Sequence, residues 1–178
     1  NSQSKVIYPR CFKGDIRKIY AQGEVFLEVA HDKKHPFIVE SDDFKLQVLG
    51  TKFNISNYKG GTTNIVLVEG AVEVTDKNEK KARLNPNDLL NIANGTIAYQ
   101  KQVDVAEYIS WVEGIMLLNG NDLSQIIQRL SIYYGISIQC DPIIGKEKVY
   151  GKLDLKDDID EVIECIQQTL PFTIEKRD

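Results

Sequence analysis

Two histidines are all the imidazole in this chain of 178 residues, and they stand four apart, His31 and His35, in HDKKHP. On a helix that spacing puts both rings on one face, as in helical zinc motifs. Here Pro36 follows at once and the flanks read as strands, so a helix is not expected. No cysteine or further histidine nearby supplies a third ligand. The stretch reads as an exposed polar turn. The acidic pairs Asp42-Asp43, Asp157-Asp158 and Asp160-Glu161 are sequence neighbours, which point in different directions in either regular structure, so none forms an acid–base dyad. Asn119-Gly120-Asn121-Asp122 resembles the start of an oxygen-rich calcium loop but lacks the later ligands and the distal Glu. Cys11, Cys140 and Cys165 have no metal-type spacing and close at most one disulfide. Cys165 is expected on the apolar side of a helix, as a small hydrophobe.

No nucleophile motif or glycine-rich phosphate loop occurs, and Gly60-Gly61 reads as a turn. Asn54-Ile55-Ser56 and Asn94-Gly95-Thr96 match the glycosylation pattern only formally. The inventory therefore calls for no cofactor, no metal and no catalysis, and favours a binding or signalling module. A net charge of −4 opposes nucleic-acid binding, which a basic face would announce. Hydrophobic content of 42% permits a real core, while no run reaches the roughly 18 apolar residues of a membrane helix. The chain starts at Asn1 without a secretory signal, so the expectation is a piece from which any targeting or anchoring segment has been removed.

The elements that would position a binding surface fall into two halves. Residues 1–110 read as all-β, sandwich-like, a barrel or a β-solenoid. Val25, Leu27 and Val29 alternate with Phe26, Glu28 and Ala30, and Phe44, Leu46 and Val48 with Lys45, Gln47 and Leu49. Val66, Val68, Val72 and Val74 share one parity about Gly70. Turn residues punctuate the runs, among them Asp76-Lys77-Asn78 and Asn85-Pro86-Asn87-Asp88, and Asn94-Gly95 is the strongest hairpin signal because both residues tolerate positive φ. Gly50 interrupts VLGTKFNIS where strand propensity is highest; it is expected to be a corner or bulge with Phe53 and Ile55 turned inward beyond it.

From about residue 115 the period changes to that of helices, and a repeat appears over residues 115–178. A shift of 36 maps Leu117 to Leu153, Leu123 to Ile159, Ile126 to Val162, Ile127 to Ile163, Leu130 to Ile166, Ile136 to Phe172 and Ile138 to Ile174. Each copy reads strand, helix, strand, giving a small α+β domain of the form βαβ-βαβ. Asp122 and Asp157 are expected N-caps; Gly135 and Pro171 are expected stops. Trp111, Tyr108, Tyr133 and Tyr134 gather near the junction in sequence, where packing competes with ligand or partner contact.

In order along the chain, GEVFLEVAHDKKHPFIVES, VLGTKFNIS, LVEGAVEV, ARLNPNDLL and YISWVEGIMLLNGNDLSQIIQRLSIYYGISI resemble the periplasmic part of FecR-like anti-sigma factors. The second half is similar to the short N-terminal domain of secretins and TonB-dependent transducers. The chain opens in what resembles the middle of the family's β domain, and Asn87 stands where relatives often carry Gly. The resemblance implies the periplasmic domain of a single-pass inner-membrane protein. Its partner would be the periplasmic signalling domain of a TonB-dependent outer-membrane transducer. A sigma factor would be held through a cytoplasmic region, and the membrane reached through a helix, neither of which lies in this sequence. Tyr133, Tyr134, Ile136, Ile138, Phe172 and Ile174 are the candidate partner surface, with core packing as their competing role. Gly50, Gly70, Asn94 and Gly95 are expected to be structural turns. The alternative is a small-ligand sensor, binding a sugar around Trp111 and Tyr108.

Overall fold

The computed structural model describes residues 1–173. The chain divides into two compact units, one holding Gln3–Tyr108 and the other beginning at Ile109. The first is one ten-stranded sheet. Its strands are β1 (Lys5–Ile7), β2 (Arg17–Val29), β3 (Phe37–Glu40), β4 (Phe44–Val48), β5 (Thr51–Asn57), β6 (Thr63–Glu69), β7 (Val72–Asp76), β8 (Lys81–Leu84), β9 (Asp88–Ala93) and β10 (Thr96–Gln102). The order in space is β10-β9-β6-β5-β2-β3-β4-β7-β8, with β1 also on β2. Every pair is antiparallel except β2 with β3. A solenoid would stack parallel coils; this sheet curls into a nearly closed, barrel-like form instead.

β2 makes the curl continuous. Its first residues pair with β3 and its last with β5, and Gly23 sits between them at φ 90°. Elsewhere the chain crosses between the two halves of the curl through very short links. β4 passes to β5 through Leu49-Gly50, and β6 to β7 through Gly70-Ala71. A Cβ on Gly50 would lie 2.5 Å from the Cα of His31, so this corner is also a close backbone approach. Gly70 has φ 95°, and a Cβ there would lie 2.8 Å from the carbonyl oxygen of Gly50. β8 passes to β9 through Asn85-Pro86-Asn87, with Asn87 at φ 70°. Asn tolerates that left-handed geometry better than other non-glycine residues.

These corners change which parity faces inward. β4 buries Phe44, Leu46 and Val48, whereas β5 buries Phe53 and Ile55. β6 sends Ile65 and Leu67 into the core cluster, and β7 sends Val72 and Val74. The single parity read across Val66, Val68, Val72 and Val74 is therefore wrong for β6: the two-residue link inserts a step that the alternation does not register. Hairpins within each half are ordinary. Asn94 and Gly95, at φ 53° and 75°, join β9 to β10.

The two ends of the sheet, β8 and β10, meet without a ladder; Gln100 of β10 reaches the Arg83 carbonyl of β8, and two carboxylates tie β10 to the turns beside it. Asp76, buried at 3% exposure, accepts the N–H groups of Asn78 (2.9 Å) and Lys80 (3.0 Å) in its own turn and of Ile97 (2.9 Å) in β10. The Ile97 N–H above all, with those of Lys80 and Asn78, holds this carboxyl below the usual range despite burial. Asp88, also buried, accepts the amides of Gln100 and Gln102 from β10 and the N–H of Asn85.

The second unit runs β11 (Ile115–Asp122), α2 (Leu123–Tyr134), β12 (Lys148–Asp154) and α3 (Ile159–Thr169), after a short helix α1 (Ala106–Ile109) and a 3-10 turn at Ser110–Glu113. β11 and β12 form an antiparallel ribbon. Leu123, Ile126, Ile127 and Leu130 of α2 and Val162 and Ile166 of α3 join Met116, Leu118, Val149 and Leu153 in one core. The two helices begin 36 residues apart. The expected strand after the first helix does not form: residues 136–139 have no ladder, and Ile138 donates its N–H to Ser131 Oγ instead. The second copy's final strand falls on Phe172 and Thr173, which are not strand, and on Ile174, outside the described residues.

Two smaller expectations are corrected. α3 is capped by Asp158, whose side chain accepts the Glu161 N–H at 3.0 Å; Asp157 lies one residue too early to reach that donor. Cys165 is exposed, because the buried stripe of α3 passes through Val162, Ile163 and Ile166 and turns Cys165 outward. At Asp122 the side chain and Gln125 form a reciprocal capping box.

Gly50→Val tests the first corner. It should destabilise the first unit by about 1–3 kcal/mol, the usual cost of overpacking, since backbone rather than a flexible side chain blocks the new atoms. A variant melting with the parent by circular dichroism would contradict this.

Candidate functional site

The end of α2 builds the candidate surface. Its apolar stripe faces the core, so the last turn carries Tyr133 and Tyr134 to the rim. Their rings meet edge to face, centroids 5.2 Å apart at 75°. The Tyr134 hydroxyl donates toward the carbonyls of Leu155 (3.1 Å) and Asp157 (2.9 Å), tying α2 to the segment after β12. Burial, with smaller contributions from Tyr133 and nearby carboxylates, pushes this phenol up to about 12. Gly135 at φ 68° ends the helix, and its N–H and that of Ile136 return to Ile132 and Ser131.

Of the six surface residues, Tyr133, Tyr134, Ile138 and Phe172 pack against the second core while remaining partly exposed. Ile136 alone turns outward, at 41% exposure. Ile174 lies outside the described residues. Phe172 is drawn in by Gln167, whose amide donates to its carbonyl at 2.7 Å.

Sequence reasoning passed over the ribbon. Tyr150 on β12 is 69% exposed and Ile143 in the preceding loop 81%. The signal for Tyr150 was available: it alternates with Val149, which is buried, in a strand whose outward positions also include Lys148 and Lys152. Among the described residues β11 and β12 pair only with each other, so each presents an outer edge of backbone donors and acceptors.

The other candidates resolve as turns or packing. His35 lies 2.7 Å from Asp32, whose carboxylate also accepts the N–H of Lys34 and His35. The His35 hydrogen bond, aided by those N–H groups, lowers Asp32 to about 2. Among the described residues no three His, Cys, Asp or Glu side chains are placed to hold a metal. Trp111 is half-buried in its 3-10 turn, and among the described residues its indole N–H has no hydrogen-bond partner. A shallow depression of about 430 Å³ lies on β3, β4 and β7. Two ion pairs lie within it, Lys77 with Asp43 at 2.7 Å and Lys81 with Glu73 at 2.9 Å.

In chain order, a curled β unit is thus followed by a small unit of two helices packed with a β ribbon. The profile described as FecR protein matches residues 1–73, and that described as FecR, C-terminal, matches residues 115–178. Two crystal structures, at 1.65 and 2.50 Å, of a Parabacteroides distasonis ATCC 8503 protein provisionally described as an anti-sigma factor are similar over the whole chain. They are 30% and 29% identical with TM-scores of 0.83 and 0.82, and each match covers 100% of this chain and 84% of theirs. No curated protein matches significantly. The chain belongs to the FecR family of signalling anti-sigma factors. Among the described residues no helix is long and apolar enough to cross a membrane.

The Asp32 turn gives a pH signature. A carboxyl lowered on folding stabilises the fold above its unfolded value near 3.9 and loses that stabilisation as pH falls toward its folded value. The melting-temperature gap between parent and Asp32→Ala should be full at about pH 5 and shrink steadily toward about pH 2. A gap independent of pH would mean the turn is held by its backbone alone. At α3, Asp158→Ala should cost about 1 kcal/mol, and Asp157→Ala clearly less, by thermal denaturation.

Proposed function

We propose that this chain is the periplasmic signal-receiving region of an anti-sigma factor, relaying the state of a TonB-dependent outer-membrane transducer to an extracytoplasmic-function sigma factor. The observation that carries the reading is the open ribbon of the second unit, in the part that matches the FecR C-terminal profile. Two strand edges that are unladdered among the described residues, together with an apolar rim of Tyr133, Tyr134, Ile136 and Ile138 in the same unit, suit recognition of an extended partner segment. Backbone pairing would give affinity, and the rim would select the partner.

The second reading, a sugar-type ligand sensor, draws on the unpartnered indole N–H of Trp111. A ligand at that site would raise the melting temperature in a thermal-shift screen by mass action.

Titration calorimetry against the signalling domain of the transducer encoded beside this protein is the direct test. Saturable one-to-one binding is expected, lost on deletion of residues 115–178. Binding that survives the deletion would move the site to the first unit, and its complete absence in the parent would overturn the reading.

A further inference from the structure

The chain leaves the first unit through β10, and β10 is the most weakly held long strand in it. It is the terminal strand of the sheet, laddered only to β9, with a register break between Ile97 and Tyr99 that interrupts the ladder. Nearly all its side chains are exposed, and Ile97 alone packs against the core cluster. β5 is the opposite case. It is laddered on both edges, to β2 and β6, and Phe53 and Ile55 are wholly buried. The outer edge of β10 is held by side chains and turns rather than strand pairing. Ile97 donates to Asp76, and the Gly95 carbonyl accepts from Lys77 N–H at 3.0 Å. Gln100 also reaches the Arg83 carbonyl of β8 at 3.2 Å, while on the laddered side Gln100 and Gln102 both reach Asp88 of β9. At its end Val103 donates to the Asn87 carbonyl at 2.9 Å. Two residues later the chain turns into α1 and on into the second unit.

We propose that β10 is a detachable strap: it opens from β9 as a unit while the rest of the curled sheet stays folded, and the Asp76, Gln100 and Gln102 contacts are its latch. Local opening follows the least buried, least laddered element first. Little apolar surface holds β10, so its side-chain hydrogen bonds carry a large share of what keeps it closed. Because β10 is the covalent link to the second unit, any load or displacement applied to that unit through the chain reaches β10 before it reaches β5 or β2. The inference concerns this chain alone and stands whether or not the proposed partner is the right one.

Hydrogen exchange of the whole chain, read by mass spectrometry, tests it. In the parent, amides of Thr96–Gln102 should exchange at least about tenfold faster than those of β5 and β6 under conditions where the sheet is folded. The double variant Gln100→Ala/Gln102→Ala removes latch contacts made by exposed side chains and leaves the core intact. It should speed β10 exchange about fivefold or more, a hydrogen bond's worth of closing energy, with β5 unchanged. Asp76→Asn should do the same and also loosen the β7–β8 turn. Equal exchange of β10 and β5 in the parent would overturn the strap. Equal acceleration of both strands in the glutamine variant would overturn the latch, by showing that β10 opens only when the whole unit unfolds.

Discussion

Backbone lies against backbone where the two halves of the first unit join, and the rest of its architecture depends on that contact. The corner at Gly70 sits on the carbonyl of Gly50, and the corner at Gly50 sits on the backbone of His31. No side chain fits between these layers. The tight stacking lets β4 turn into β5 and β6 into β7 within two residues, and so lets residues of both halves meet in one core. Phe53 and Ile55 on one side and Leu46 and Val74 on the other are wholly buried as a result. A longer loop would relieve the contact but widen the gap, and an interior packed like an organic crystal does not tolerate a gap of even a methyl group well.

The polar groups serve a different purpose from the core. Surface pairs such as Lys18–Glu40 and Lys81–Glu73 are exposed, and such pairs contribute ~0–1 kcal/mol each. Truncating one buried phenylalanine typically costs ~3–5 kcal/mol, so the apolar interior decides stability. Asp76 and Asp88 are neither core nor ordinary surface pairs. Both are buried acceptors: Asp76 takes the Ile97 N–H on the unladdered side of β10, and Asp88, on β9, takes the side-chain amides of Gln100 and Gln102. The sheet is thus closed by side chains at its one seam, and a seam of that kind is weaker than a ladder.

Much of this was legible in the sequence. Period-2 runs marked a mostly β first part, and the helical stripes at Leu123–Leu130 and Val162–Ile166 face one core. Position-by-position detail failed wherever a short link or a long-range contact intervened. The alternation through Val66 and Val68 broke because the Gly70-Ala71 link shifts the inward parity for the next strand. Asp157 and Asp158 are equivalent in composition, and only helix geometry decides which reaches the Glu161 N–H. Residues 136–139 have strong strand propensity, yet a strand exists only where a partner ladder does, and propensity does not specify a partner. Asp76 and Asp88 read as turn residues, and their role in the seam depends on β10, which arrives many residues later.

The second unit presents the complementary problem. Two helices and a two-stranded ribbon give it one small core, and a unit of that size buries a smaller share of its surface than a large domain does. Its helices spend their apolar stripes inward, and capping by Asp122, Asp158 and Gly135 fixes where they start and stop. What remains outward is backbone: two ribbon edges and an extended stretch after α2 whose amides turn to Ser131 for want of a strand. Exposed edges are a liability in a protein that has nothing to pair with. In the reading proposed for this chain, an extended partner segment would pair with these edges, and the partly exposed side chains of Tyr133, Tyr134 and Ile138 and the exposed Ile136 would add the selectivity that backbone pairing alone lacks.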